Sequence, residues 1–170
     1  MDPIQQSGQP VRFIADAMLG RLAHWLRILG YDTAYEKFID DDLLIERALR
    51  ENRWLLTRDS RLARRKILRN RHTLIASDSL DDQLRQLRQE LSIDLEAKQP
   101  RRYRCVDCNA VLTPVPRDEA IPLVPPLVAH QHQTFLQCPE CHRMFWPGTH
   151  WDGILNRLAS MNGTVDRDPA

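Results

Sequence analysis

Residues 11–30, VRFIADAMLGRLAHWLRILG, join a strand, an acid and a helix with no spacer between them. Val11–Ala15 is short, apolar and partly β-branched, the pattern of a buried strand. Asp16 follows at once. Leu19, Leu22, Ala23, Leu26 and Leu29 then recur at helical spacing with Trp25 beside them. Gly30 suits the left-handed position that closes a helix. In open α/β sheets ligands bind at the carboxyl ends of strands. An Asp there can hold a metal ion or polarise a water, or it can do no more than cap its helix. What separates the two readings is whether other carboxylates converge on the same edge.

The same order repeats along the chain. Asp32–Tyr35 reads as a short second strand, and Asp40, Asp41 and Asp42 open an amphipathic helix through Leu43, Leu44, Ala48 and Leu49. Negative charge is favourable at a helix N-terminus, but three acids in a row exceed what a cap needs. Trp54–Thr57 is a third strand with Asp59 just past its end, and Ser60–Leu68 a short helix with Ser60 as its N-cap. His72–Ala76 is a fourth strand, followed by Ser77 and Asp78. Ser79 and Asp82 have the spacing of a capping box for a helix through Leu84, Leu87 and Leu91. This β-α alternation predicts an α/β domain over residues 11–97, a parallel sheet flanked by helices. Residues 1–10 are polar and form a disordered lead-in.

If these strands are adjacent and parallel, Asp16, Asp59 and Asp78 share one small volume with a member of the Asp40–Asp42 group. Like charges so placed disfavour one another's ionisation, so a cation must offset them. Mg²⁺ or Mn²⁺ prefers carboxylate and water oxygens. Either ion suits phosphodiester hydrolysis, activating water and stabilising the leaving oxygen. The chain lacks both G-x-G-x-x-G and G-x-x-x-x-G-K-[ST], which disfavours a dinucleotide or nucleoside triphosphate site. Net charge is only +1, so any attraction to an anion has to be local. Arg58, Arg61, Arg64, Arg65, Lys66, Arg69 and Arg71 supply it within a stretch where Asp59 alone opposes them. Such a run is either a solvated face or a track for a nucleic-acid backbone; Arg21 and Arg27 add to it.

Residues 98–104, KQPRRYR, break the pattern and read as a linker. Beyond them Cys105, Cys108, Cys138 and Cys141 form two C-x-x-C pairs, with no cysteine left over. Two such knuckles supply four thiolates to a tetrahedral, structural Zn²⁺. The redox reading of C-x-x-C is weaker, because neither pair opens a helix after a strand. The 29 residues between the pairs are rich in Pro and lack helical periodicity, so a zinc ribbon over residues 105–151 must carry a loop excursion. His130, His132, His142 and His150 are read as surface residues, His150 being the exception to watch. Residues 152–170 hold a short helix, Ile154–Met161, and a disordered tail. No apolar run approaches the ~20 residues of a membrane span. The N-terminus lacks the features of a signal peptide, so a cytosolic protein is expected, where paired cysteines favour metal over disulfide.

Phe13–Ala23 (FIADAMLGRLA), Trp25-Leu26-Arg27, Leu29-Gly30 and Leu55–Asp59 (LLTRD) resemble the Mut-seven C-terminal RNase-domain family. The cysteine pairs and Phe145–Trp151 (FWPGTHW) look like that family's zinc ribbon, with Phe145 and Thr149 as mild departures. The resemblance implies a PIN-like fold whose clustered acids bind Mg²⁺ or Mn²⁺ and cut single-stranded RNA. Asp16 and Asp59 carry over directly. The second acidic position falls within Asp40–Asp42, with Asp40 preferred and Asp41 next, and Asp78 matches by location. In this picture Arg21, Arg58, Arg61, Arg64 and Arg65 contact the RNA, and the ribbon positions RNA or a protein partner. The rival reading is a non-catalytic RNA-binding or adaptor protein.

Overall fold

Phe13, Ile14 and Ala15 form β1 (Phe13–Ala15), with every side chain buried. A strand with no polar face must lie inside a sheet that is covered on both sides. In the computed structural model, which describes residues 11–96 and 103–162, it does. β2 (Thr33–Tyr35), β1, β3 (Trp54–Thr57) and β4 (His72–Leu74) lie in that spatial order, every pairing parallel. Ala15 is level with Tyr35 on one side and Leu56 on the other. The alternation of side chains then decides the two cores. Phe13, Ala15 and Leu56 face α1 (Gly20–Ile28) and α4 (Leu80–Leu91), while Ile14 and Leu55 face α2 (Asp41–Arg50) and α3 (Ser60–Ala63). The chain is thus an α/β fold with a four-stranded parallel sheet flanked by helices. The lead-in expected over 1–10, residues 98–102 of the expected linker and residues 163–170 of the expected tail lie outside the described residues.

Local signals hold at Gly30, whose φ of 92° closes α1. They shift elsewhere. Ser60 is not the cap of its helix: Asp59 is, accepting from the Arg61 and Leu62 N–H groups. The expected single helix over 60–68 divides into α3 and a 3₁₀ turn, Lys66–Leu68. Arg65 is extended between them, and both Leu62 and Leu68 reach the same core. The Ser79–Asp82 box is not closed by Ser79, whose side chain makes no capping bond. Ser77 takes that place, its hydroxyl accepting the Ser79 N–H and donating to Asp82.

The second sheet is antiparallel, in the order β5 (Thr113–Val115), β6 (Phe135–Gln137), β7 (Met144–Phe145). Between β5 and β6 the Pro-rich stretch is not the loop its composition predicts. It contains α5 (Arg117–Ala120), a 3₁₀ turn (Ile121–Leu123) and α6 (Pro126–Gln131), packed on a small core of Ala120, Val124, Ala129 and Phe135. Pro116 and Pro125 occupy N-cap positions and Pro126 the first turn of α6, where a missing N–H costs nothing. These prolines start helices rather than break them.

α7 (Thr149–Asn162) begins earlier than the expected Ile154–Met161 helix and returns to the first unit. Ile154, Leu158 and Met161 are buried, Met161 within the core that contains Leu84 and Leu87. Arg157 bonds Asp81 at 2.7 Å and lies over the Trp25 ring. Among the described residues no helix is long and apolar enough to cross a membrane.

Candidate functional site

The strand order sets the acidic residues along one margin. Asp16 follows β1, Asp40 and Asp41 open the helix after β2, Asp59 follows β3 and Asp78 follows β4. Asp16 is buried and does not cap a helix. Its Oδ2 accepts the Thr57 hydroxyl at 2.7 Å, and Thr57 Oγ1 in turn accepts the Asp59 N–H at 3.0 Å. A fully buried hydroxyl at the end of β3 therefore ties the first and third acidic positions together. Among the described residues no hydrogen bond reaches Asp16 Oδ1.

Asp40 and Asp59 do cap helices, each through Oδ1: Asp40 from the Leu43 N–H at 3.0 Å, Asp59 from Arg61 at 2.6 Å and Leu62 at 3.3 Å. Each retains Oδ2, so capping and metal binding draw on different oxygens of the same carboxylate. Asp41 is exposed in the first turn of α2, Asp42 pairs with Arg65 at 2.8 Å, and Asp78 pairs with Arg58 Nη1. The donors suit a hard divalent cation in type. They stand as neighbours along the margin; among the described residues only the cysteines draw three or more prospective ligand atoms into one group.

The turn after Asp16 is held by β2. Tyr35 donates its hydroxyl hydrogen to the Ala17 carbonyl at 3.1 Å, and a Cβ on Gly20 would stand 2.7 Å from that hydroxyl oxygen. A side chain at position 20 would push the end of the Tyr35 ring aside. Arg21 on α1 and Arg61, Arg64, Arg65, Lys66, Arg69 and Arg71 after β3 are exposed. Arg58 is half-buried between Thr57 and Asp59, and its Nε is buried with no hydrogen-bond partner among the described residues.

The four cysteine sulfurs lie within 4.8 Å of one another, and Cys105 Sγ is 3.8 Å from Cys141 Sγ. A tetrahedron of Zn–S bonds of about 2.3 Å spaces its sulfurs by about 3.8 Å, so the quartet fits zinc. The two knuckles are built alike. In each, the N–H of the second cysteine points at the first sulfur at 3.5 Å, and the next residue, Asn109 or His142, is left-handed at φ 66° or 59°. Cys141, bonded by the Arg143 N–H, has its pKa lowered to about 7, while Cys108, hydrogen-bonded to Cys141, is pushed up to about 12. Four such thiols cannot all ionise without a cation among them. His130 and His142 are exposed and His132 is half-buried, all outside that group; the His150 side chain lies outside what is described.

Sequence reading missed what joins the two units. Arg27, placed with the basic track by its charge, is buried instead. Its Nε donates to Thr33 O at 2.9 Å, and its Nη1 to the Val106 carbonyl and, at 3.1 Å, the Asp107 carbonyl, inside the first knuckle. Asn109 accepts the Thr33 N–H and donates to Asp32 Oδ1 at 2.7 Å. Asp32 also meets Arg53 at 2.6 Å. The only prior signal was Asn after a C-x-x-C pair, a residue that tolerates the left-handed turn.

A family model described as "Mut7-C: Mut7-C RNAse domain" matches residues 11–158, most of the chain. No curated protein and no solved structure matches it.

Proposed function

Because the chain belongs to the Mut7-C RNAse domain family, we propose that it is a PIN-like, metal-dependent endoribonuclease that cuts single-stranded RNA. A nuclease-type function on RNA comes with the family; the rest is our reading of the sheet margin. The observation that carries it is the chain of bonds Asp16–Thr57–Asp59 at the ends of two adjacent parallel strands. It fixes the buried Asp16 carboxylate and the backbone of Asp59 at the same margin, where Asp40, Asp41 and Asp78 also stand.

In this reading Asp16, Asp40 or Asp41, Asp59 and Asp78 hold Mg²⁺ or Mn²⁺. The bound ion supplies charge for the leaving oxygen and lowers the pKa of water. The protein's own part is positioning. Thr57 fixes the Asp16 carboxylate, and the helix bonds of Asp40 and Asp59 fix theirs. Arg58, half-buried beside Asp59 and paired through Nη1 with Asp78, is placed to meet a phosphate only by giving up that pair. Arg21, Arg61, Arg64 and Arg65 track the backbone. Zinc on the cysteine quartet is structural, and the ribbon positions RNA or a protein partner. A cytosolic setting, in which thiols stay reduced, suits that quartet.

One observation favours a second reading, a non-catalytic RNA-binding protein: Asp40, Asp59 and Asp78 are all engaged by their own chain. The two separate on one experiment. Purified protein with Mn²⁺ is expected to cut single-stranded RNA, and Asp16→Asn to abolish cutting while RNA binding persists. Equal cutting by both proteins would mark a contaminant and leave the binding reading standing.

A further inference from the structure

The proposed acidic site is bordered by large apolar side chains that the fold leaves in water. Phe38 is 87% exposed, Met18 66% and Leu43 53%, whereas Phe13 and Phe135 are buried to within 1%. Each lies within three residues of an acid of that site. Met18 is the second residue after Asp16, Phe38 is the second before Asp40, and Leu43 carries the N–H that Asp40 accepts. Topology brings them to one margin. β1 and β2 run side by side with Ala15 level with Tyr35, and the Tyr35 hydroxyl is bonded to Ala17. The turn bearing Met18 and the loop bearing Phe38 therefore leave the sheet together.

Leaving a phenylalanine in water forgoes the favourable free energy of burying it. Lys37 is the one neighbour that the ring engages among the described residues, its Nζ 5.3 Å from the centroid. An aromatic face with a cation beside it is how single-stranded nucleic acid is gripped: a base stacks on the ring and the ammonium meets the adjacent phosphate. The core of a protein contact is depleted in charged residues. Here the apolar groups are interleaved with Lys37, Asp40 and Asp41.

We propose that Phe38, with Lys37 beside it, is a stacking platform for an unpaired nucleobase of the RNA that enters the acidic margin. It is a substrate-positioning residue and the source of a preference for unpaired RNA, since a base inside a duplex has both faces covered. The inference rests on the ribonuclease reading above.

The test uses the full chain carrying Asp16→Asn, so that RNA is bound and not cut. Fluorescence anisotropy measures binding of a labelled oligoribonucleotide of roughly twelve nucleotides, single-stranded or annealed to its complement. Phe38→Ala is expected to weaken single-strand binding about 5- to 150-fold, the equivalent of 1–3 kcal/mol of stacking. Phe38→Trp is expected to restore it, and duplex binding to stay unchanged. In chain that keeps Asp16, Phe38→Ala is expected to raise KM for single-stranded RNA more than it lowers kcat. Equal single-strand affinity with Phe and Ala overturns the platform. So does an equal loss on duplex, or loss of a dimer by light scattering with RNA binding intact. If the unsubstituted chain cuts RNA and Phe38→Ala changes nothing, the platform falls alone. If it neither binds nor cuts, the ribonuclease reading falls with it.

Discussion

Asn109 Oδ1 accepts the backbone N–H of Thr33 at 3.0 Å, across 76 residues of sequence. β2 is an edge strand, and an unpaired edge N–H invites pairing with another chain. The first zinc knuckle closes it. Asn109→Gly keeps the left-handed backbone and removes both side-chain bonds. It is expected to lower unfolding free energy by about 1–3 kcal/mol, because the Thr33 N–H is left unsatisfied. Denaturant titration reads this, and a change below a few tenths would refute the closure.

Zinc removal should reach the sheet by the same route. Cys105→Ser is expected to carry no zinc by elemental analysis and to lose the knuckle turn. Arg27 would then lose its two carbonyl acceptors while still buried. Hydrogen exchange at Thr33 is expected to speed up in Cys105→Ser and in chelator-treated protein. Protection at Thr33 that ignores the metal would show the two units to be independent.

Thr57 is the pivot of the acidic margin. Thr57→Val removes the donor to a buried carboxylate, a loss of about 1–3 kcal/mol. If Thr57 only packs, Val will serve. If it aims Asp16, Thr57→Val is expected to cut RNA cleavage at least tenfold and to weaken Mn²⁺ binding by calorimetry, while Thr57→Ser stays near wild type in both.

Acid should loosen the junction. Burial alone would raise the pKa of Asp32, but hydrogen bonds from Arg53 and Asn109 win, and it lies below its ordinary 3.8. Glu51, bonded by Arg53, lies below its ordinary 4.5. Groups that titrate lower folded than unfolded give stability that is complete above the unfolded value and lost as pH falls through the folded one. Wild type is therefore expected to hold its stability down to about pH 4.5 and to lose it progressively below. Asp32→Asn starts less stable at neutral pH, and the gap between the two closes with acid. A gap that is constant with pH would contradict this.

The sheet was legible because strands such as Phe13–Ala15 and Trp54–Thr57 carry short, mostly apolar runs, with an acid one or two residues past each end. The cysteine quartet was legible because C-x-x-C spacing leaves few geometries. What escaped depended on contacts between distant residues. Nothing local marks Arg27 as buried, since its charge and helical position fit a solvated face equally well. Prolines 116, 125 and 126 read as breakers because position within a helix, not presence, decides their effect. In sequence, cap and ligand read as alternatives for an Asp at a helix start, yet in Asp40 and Asp59 one oxygen serves the cap and leaves the other for a ligand.

Met161 ends up among Leu84, Leu87 and Leu91, side chains made some seventy positions earlier. On the ribosome, the sheet and its four helices emerge before the residue that completes their core. A fragment stopped at residue 97 would be frozen at that stage. Completion of the N-terminal unit is thus timed by translation of the far end of α7, and a pause between the two leaves oily surface open to chaperones.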